Sequence, residues 1–331
     1  MVATPVQMLW ASGQDAPAFL QGMCTQQLNT LQGGEGAWTL FLNRKGGLIT
    51  TARIWKSPGM VPGFDIPVEP DCFLMVVPPG RQAALLKHLR KHVVSEDVEL
   101  RPELAPLYLL ELAGPMAHQG LVHLEALAKA HKEFLLHFPG SLGGVALLAS
   151  KRMGEFWAPA AFPCLDEATW EGLRMEYGRA TWGKELEAGA LATEFRLEWA
   201  IHPDKGCYVG QEAVARTTFR TAPRQQLGAF VFEGALLPRG TPLWHEGQKV
   251  GKVLSCSLSP AFGSPLALAH VLRACTEPGQ YVHTAEGLRL CAVELPLWNS
   301  PKNPKHAQPK PAKPLVHGSE GSVRESEGED E

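Results

Sequence analysis

The 331-residue chain lacks much of what makes a function easy to read. Its seven cysteines, Cys24, Cys72, Cys164, Cys207, Cys256, Cys275 and Cys291, are odd in number and none stands in a C-x-x-C spacing. That argues against a disulfide framework, a zinc ribbon and a thioredoxin-type dithiol. A basic excess is also missing. The 31 Lys and Arg against 34 Asp and Glu leave a formal −3, so bulk nucleic-acid binding has no global support and only a local basic site stays open. No run approaches the roughly 20 apolar residues that span a bilayer, so no membrane partner is expected. The opening MVATPVQMLW has neither a basic n-region followed by an apolar core nor an Arg- and Ser-rich presequence, which makes the cytoplasm the expected compartment. The twelve histidines are read as ordinary surface or core residues, with no metal site.

What is present suggests about two or three domains, each long enough to bury its own core. Asp15-Ala16-Pro17 reads as a helix start with Asp15 as N-cap, and Phe19, Leu20 and Met23 supply an apolar face. Residues 37–42 and 48–55 read as strands around a turn at 43–47, with another strand at 72–77. A helix is expected over 81–92, with Leu85, Leu86 and Leu89 on one side. A strand at 108–112, a helix at 115–130, short strands at 133–137 and 145–149, and a helix over 166–177 capped by Asp166 follow. After Leu227 helical periodicity fades. Runs at 227–233, 250–256, 266–271 and 289–294 lie between Gly/Pro turns, the signature of a small antiparallel barrel or sandwich. Residues 299–314 then hold four Lys and five Pro with no acid, and 315–331 hold six acids and one Arg. Such a segment has too little apolar surface to offset its ordering entropy. The expected division is an α+β region over 1–225, a β domain over 226–297 and a disordered tail over 298–331.

One segment carries more chemistry than its surroundings: Asp204-Lys205-Gly206-Cys207-Tyr208-Val209-Gly210-Gln211-Glu212. Gly206 and Gly210 flank Cys-Tyr-Val, so the backbone can turn sharply or approach a ligand closely. Lys205 stands two residues before Cys207, where a nearby cation favours the thiolate. Gln211 and Glu212 begin a helix, and Glu212 is spaced to pair with Arg216 across one turn. From the residues alone, a functional thiol and an ordinary loop cysteine both remain open.

Lys205 to Glu212 resembles the K-G-C-[FY]-x-G-Q-E signature of the YgfZ family. These are folate-binding proteins that support iron–sulfur cluster assembly or repair, in the superfamily of the glycine cleavage T-protein, an aminomethyltransferase. The resemblance covers residues 8–295 or thereabouts. Gly13-Gln-Asp-Ala-Pro-Ala-Phe-Leu-Gln-Gly22 with Thr25 is similar to the family's opening, and Phe41-Leu-Asn-Arg-Lys-Gly-Gly47 to its L-x-x-x-K-G hairpin. Gly172-Leu-Arg-Met-Glu-Tyr-Gly178 resembles its R-x-E-x-G segment, and Glu194 stands at its P-x-E carboxylate. Val250-Gly-Lys-Val-Leu-Ser255 and Leu266-Ala-Leu-Ala-His270 resemble two motifs of its C-terminal barrel.

The resemblance implies an α+β fold. Two α+β subdomains, interleaved in sequence, and a C-terminal antiparallel β-barrel would pack as a T-protein-like cloverleaf around a central folate channel. It implies tetrahydrofolate or another reduced folate as cofactor, and iron–sulfur enzymes or cluster-assembly proteins as partners. It makes Cys207 the reactive thiol with Lys205 beside it. Gly206, Tyr208, Gly210, Gln211 and Glu212 would shape the loop at the cofactor. Glu194 would face the pterin, since a carboxylate accepts two N–H bonds as a bidentate pair. Arg174 and Glu176 would be channel residues behind it, unless they are a surface pair at i,i+2.

Three other readings stand beside this one. In an aminomethyltransferase, the second hairpin strand carries an acidic pair when aligned by Asn43 and Gly46-Gly47. This chain has Thr50 and Thr51 there, which hold no negative charge for a developing cation, and T-proteins lack the K-G-C signature. An interaction module for cluster-assembly partners would tolerate loss of Cys207. Direct cluster ligation takes several thiolates at defined spacing, so a lone Cys207 leaves room only for transient or dimer-bridged ligation.

Overall fold

The chain opens as a strand, β1 (Val2–Ser12), half-exposed at first and buried from Met8 on. The computed structural model describes residues 2–57, 72–113, 120, 122, 136–139, 145–150, 165–217 and 222–296, the segments 136–139 and 145–150 as backbone alone. After β1, α1 (Ala16–Met23) buries Ala16, Phe19, Leu20 and Met23. Asp15 occupies the N-cap position but makes no side-chain cap. Its carboxylate instead accepts the Asp97 backbone N–H at 2.8 Å, so a tertiary tether takes the place of the expected local cap.

β2 (Gly36–Leu42) and β3 (Leu48–Lys56) form the expected hairpin, with Leu40 opposite Thr51 and Trp38 opposite Arg53. β4 (Phe73–Val77) is buried along its length, and α2 (Gln82–Arg90) turns Leu85 and Leu89 inward. His88 and His92, an i,i+4 pair at the end of this helix, lie edge to face at 4.9 Å, and His92 Nδ1 is 2.9 Å from the His88 carbonyl oxygen. β5 (Glu99–Leu112) starts well before the expected 108, because its first half pairs with the second half of β1, Ser12 opposite Glu99. Pro102 and Pro106 hide that half in the sequence. β6 (Leu136–Pro139) and β7 (Val145–Ser150) complete one antiparallel sheet in the order β2-β3-β4-β1-β5-β7-β6. The helix expected over 115–130, but for two residues, and the tail over 298–331 lie outside the described residues.

α3 (Glu167–Glu176) is capped as expected, Asp166 Oδ1 accepting the Thr169 N–H at 2.8 Å. α4 (Gln211–Ala215) is a short helix that precedes the barrel. β8 (Gln225–Val231), β9 (Pro242–His245), β10 (Gln248–Ser259), β11 (Ser264–Leu272), β12 (Tyr281–His283) and β13 (Arg289–Val293) then close in the order β10-β11-β8-β13-β12-β9. Closure leaves no free edge. Phe230, Leu243, Val253, Ala269 and Leu290 fill the barrel. Leu227, Ala229, Leu254, Leu266 and Leu268 project from it and pack with Leu40, Leu42 and Leu48 of the hairpin and Met175 of α3. This two-residue alternation is how one strand serves two cores. No helix among the described residues is long and apolar enough to cross a membrane.

Candidate functional site

The Cys207 segment is wedged between two earlier parts of the chain. Gly210, at φ +89°, sits on the hairpin turn, where a Cβ would lie 2.7 Å from the Asn43 carbonyl oxygen. Gly46, at φ +78°, closes the same contact, where a Cβ would lie 2.6 Å from Ala213 Cβ. Both positions need glycine for conformation and for room. On its other side the segment runs along the chain leaving α1. His202 N–H donates to the Thr25 carbonyl and Val209 N–H to the Gly22 carbonyl, each at 3.0 Å, and Thr25 Oγ1 donates to the Ala200 carbonyl at 2.7 Å. Tyr208 packs into the core shared with the barrel and Val209 into the core beneath α1. Burial pushes the Tyr208 phenol up to about 12. Gln211 Oε1 accepts the Tyr208 N–H at 3.2 Å. Between these anchors Cys207 is exposed, as no other described cysteine is. Gly206 is exposed too, with open space where a Cβ would go.

Lys205 departs from expectation. Its side chain turns inward until the residue is 8% exposed, and Nζ donates to the Gln26 carbonyl. There it acts on the Cys24 thiol, whose Sγ shares that carbonyl at 3.6 Å. Burial pushes the Cys24 thiol up while Lys205 opposes the rise, and burial lowers the Lys205 ammonium. Carbonyls at and just beyond a helix C-terminus attract a cation, which draws this side chain to the end of α1. The expected Glu212–Arg216 pair does not form among the described residues; both side chains are exposed, where such a pair gains little.

Glu194 lies on a segment that flanks the other side of the hairpin. Leu48 N–H donates to the Ala190 carbonyl and Gly189 N–H to the Leu48 carbonyl, both at 2.9 Å. The segment then docks on the barrel. Leu227 N–H donates to the Glu194 carbonyl at 2.7 Å, and Arg196 Nε donates to the Leu227 carbonyl at 2.8 Å. Arg196 adopts φ 54°, a left-handed conformation costly for a non-glycine residue. The Glu194 carboxylate, 26% exposed, faces the barrel with Oε2 3.4 Å from His270 Nε2 on β11. The His270 ring stacks on Phe195 at 5.1 Å. Burial lowers the His270 imidazole, Lys252 adds to this and Glu194 opposes it, so His270 is neutral at neutral pH.

Residues 225–294 match the glycine cleavage T-protein C-terminal barrel domain. The chain is 25% identical over 300 residues to an aminomethyltransferase of Chlorobium luteolum, covering 82% of this chain and 79% of that protein. It is 29% identical over 283 residues to an aminomethyltransferase of Rubrobacter xylanophilus, covering 78% and 72%. The glycine cleavage system aminomethyltransferase T of Bartonella henselae has a similar fold, with a TM-score of 0.71 over 89% of this chain and 85% of that one, at 18% identity. The mixed α/β body and closed six-stranded antiparallel barrel are thus T-protein-like in fold.

Arg174 stands in a buried polar network behind the barrel strands. Its guanidinium makes five hydrogen bonds, to Glu171, Glu185 and the Arg179 carbonyl, which uses every N–H it has. Glu176 is fully buried and accepts from Ser259 Oγ and from the Ala261 N–H at 2.7 Å. Neither is a surface residue, and both tie α3 to its neighbours. On β3, Thr50 Oγ1 donates to the Thr51 carbonyl at 2.9 Å. On the face of β3 that carries Thr51, two residues further along, Arg53 pairs with Glu111 at 2.6 Å and lies 3.9 Å over the Trp38 ring. Trp38 meets Trp199 edge to face at 5.2 Å, and Arg179 lies 4.0 Å over Trp199. Burial brings Arg179 down to about 10, with Arg53 adding to the fall and Glu111 opposing it. Sequence reasoning missed this ladder, and it named His270 in a barrel motif without its place beside Glu194. The available signal was a polar residue inside an apolar strand, Arg53 in β3 and His270 in β11.

Proposed function

We propose that the protein binds a reduced folate and supports iron–sulfur enzymes in the cytoplasm through the Cys207 thiol. The observation that carries this reading is the exposed Cys207 on a loop fastened at both ends, His202 to Thr25 and Val209 to Gly22. Residues that fit a reduced folate lie on the segment across the hairpin. Glu194 offers a partly exposed carboxylate to the N–H donors of a pterin, and neutral His270 does not compete for it as a cation would. Phe195 and His270 stiffen that carboxylate's surroundings by stacking. Bound tetrahydrofolate supplies one-carbon or reducing chemistry, while this chain's residues present the thiol and orient the ligand.

A second reading, folate-dependent aminomethyl transfer, is supported by the names of the relatives. Against it stand Thr50 and Thr51, since neither can hold charge opposite a developing cation. The test is complementation of a strain lacking its own family member, scored on iron–sulfur enzyme activity. Cys207→Ser is expected to keep the fold and folate binding yet fail, because a hydroxyl is a poor nucleophile and soft-metal ligand at neutral pH. Glu194→Ala is expected to weaken folate binding by roughly 1–3 kcal/mol in calorimetry, pterin donors being left unpaired. Full complementation by Cys207→Ser would favour an interaction module, and aminomethyl transfer by the purified protein would favour the second reading.

A further inference from the structure

We infer that Lys205 is a positioning residue, whose ammonium fastens the Cys207 loop to the end of α1 instead of activating the Cys207 thiol. The inference rests on the reading above only in taking Cys207 as the functional group. Between the backbone pins at His202 and Val209 the chain has few bonds of its own. Asp204 N–H reaches His202 Nδ1 at 3.2 Å, and Lys205 N–H reaches the His202 carbonyl at 3.4 Å. Pro203, Asp204, Gly206 and Cys207 are all exposed, and Lys205 alone of this stretch is buried. Its side chain is therefore the anchor in the middle of the span.

A buried ammonium is retained only where bonds replace its lost water. Here the Gln26 carbonyl does so, three residues past the last residue of α1, on the same strip of chain that takes the two backbone pins. The Cys24 thiol beside it is no counter-ion, because burial keeps it protonated at neutral pH. An ammonium spent on this carbonyl inside the protein is poorly placed to stabilise a thiolate on the outside. The spacing of the motif then has a mechanical meaning. Lys205 pulls the loop in, Gly206 imposes no side chain, and Cys207 is left facing solvent.

The test uses the full-length protein. Lys205→Met keeps the stem and removes the donor, and Lys205→Arg keeps a cationic donor. Three readouts are taken: the pH profile of Cys207 alkylation by iodoacetamide, amide hydrogen exchange at His202 and Val209, and complementation. Lys205→Met is expected to leave the alkylation midpoint unmoved, to speed exchange at both amides by about tenfold, the order for one lost charge-assisted hydrogen bond, and to lower complementation. Lys205→Arg is expected to recover towards wild type in all three, which a purely packing role would not require. A midpoint raised by about one pH unit in Lys205→Met would overturn the inference in favour of thiolate activation. Wild-type exchange in Lys205→Met would overturn it as well. Should Lys205→Met fail to fold, the shorter and uncharged Lys205→Gln decides: an unmoved midpoint with exchange faster than wild type supports fastening, and a raised midpoint or wild-type exchange overturns it. If Cys207→Ser complements, the functional reading falls, but the midpoint and the exchange still judge Lys205.

Discussion

Gly206 and Gly210 look equivalent in the sequence, one on each side of Cys-Tyr-Val, and the structure separates them. Gly210 combines a left-handed φ of +89° with a Cβ position 2.7 Å from the Asn43 carbonyl oxygen, whereas nothing lies within 4 Å of a Cβ at Gly206. Gly210→Ala is expected to cost about 2–5 kcal/mol, from a left-handed penalty of roughly 1–2 and overpacking of roughly 1–3. Gly206→Ala is expected to stay within about 0.5 kcal/mol. Urea midpoints at constant m-value measure both, and an equal loss at the two sites would contradict the packing argument. Lys205 shows the same limit of sequence reading. Spacing placed it near Cys207 along the chain, but the direction of a long side chain depends on a carbonyl at Gln26, a contact between distant segments. The motif's residue types were legible and the orientation of its cation was not.

Elements with strong local signals were legible, and those made by partners were not. The hairpin of β2 and β3 follows from alternation around Asn43 to Gly47, and α3 from its cap and apolar spacing. β1 and the first half of β5 exist because they pair with each other, Ser12 opposite Glu99, against the local preference of Pro5, Pro102 and Pro106. β12 has three residues and β9 four, too few for periodicity, and they are strands because the barrel closes through them. The contrast predicts two sizes of effect around α3. Asp166→Ala removes one exposed cap and is expected to cause the smaller loss. Glu185→Ala strips a fully buried carboxylate from Arg174 and from Ser255 of the barrel, and is expected to cost about 3 kcal/mol or more. Thermal unfolding of the two variants distinguishes them. Similar losses would mean that the buried pair contributes no more than a surface cap.

At the scale of the whole molecule, three of the described titrating side chains, in three different places, contribute to the response to acid. His88 lies on α2, His270 joins the barrel to the Glu194 segment, and Glu171 sits in the Arg174 network. Burial first, then His92 and Lys91, bring His88 down to about 4, and burial likewise lowers His270. A depressed imidazole means the unfolded chain takes up the proton first. The stability these two contribute is present above about pH 6.5 and is lost as pH falls, for His88 down to about 4. Glu171 has the acidic counterpart. Burial pushes it up, but Arg174 and Lys184 outweigh that and hold it below the usual carboxylate range. Its contribution is present above the unfolded value of 4.5 and is lost as pH falls through the lower folded one. Acid should therefore act in two stages, a shallow histidine loss below about pH 6.5 and a carboxylate loss at more acid pH. Each group adds at most about 1.4 kcal/mol per pH unit, less where solvent screens it. Urea unfolding across the range reads the curve. His88→Gln is expected to flatten the stretch from pH 6.5 to 4 and leave the acid limb intact, while Glu171→Gln lowers stability at neutral pH and flattens the acid limb. A His88→Gln curve parallel to wild type throughout would show that this imidazole titrates alike in the folded and unfolded chain.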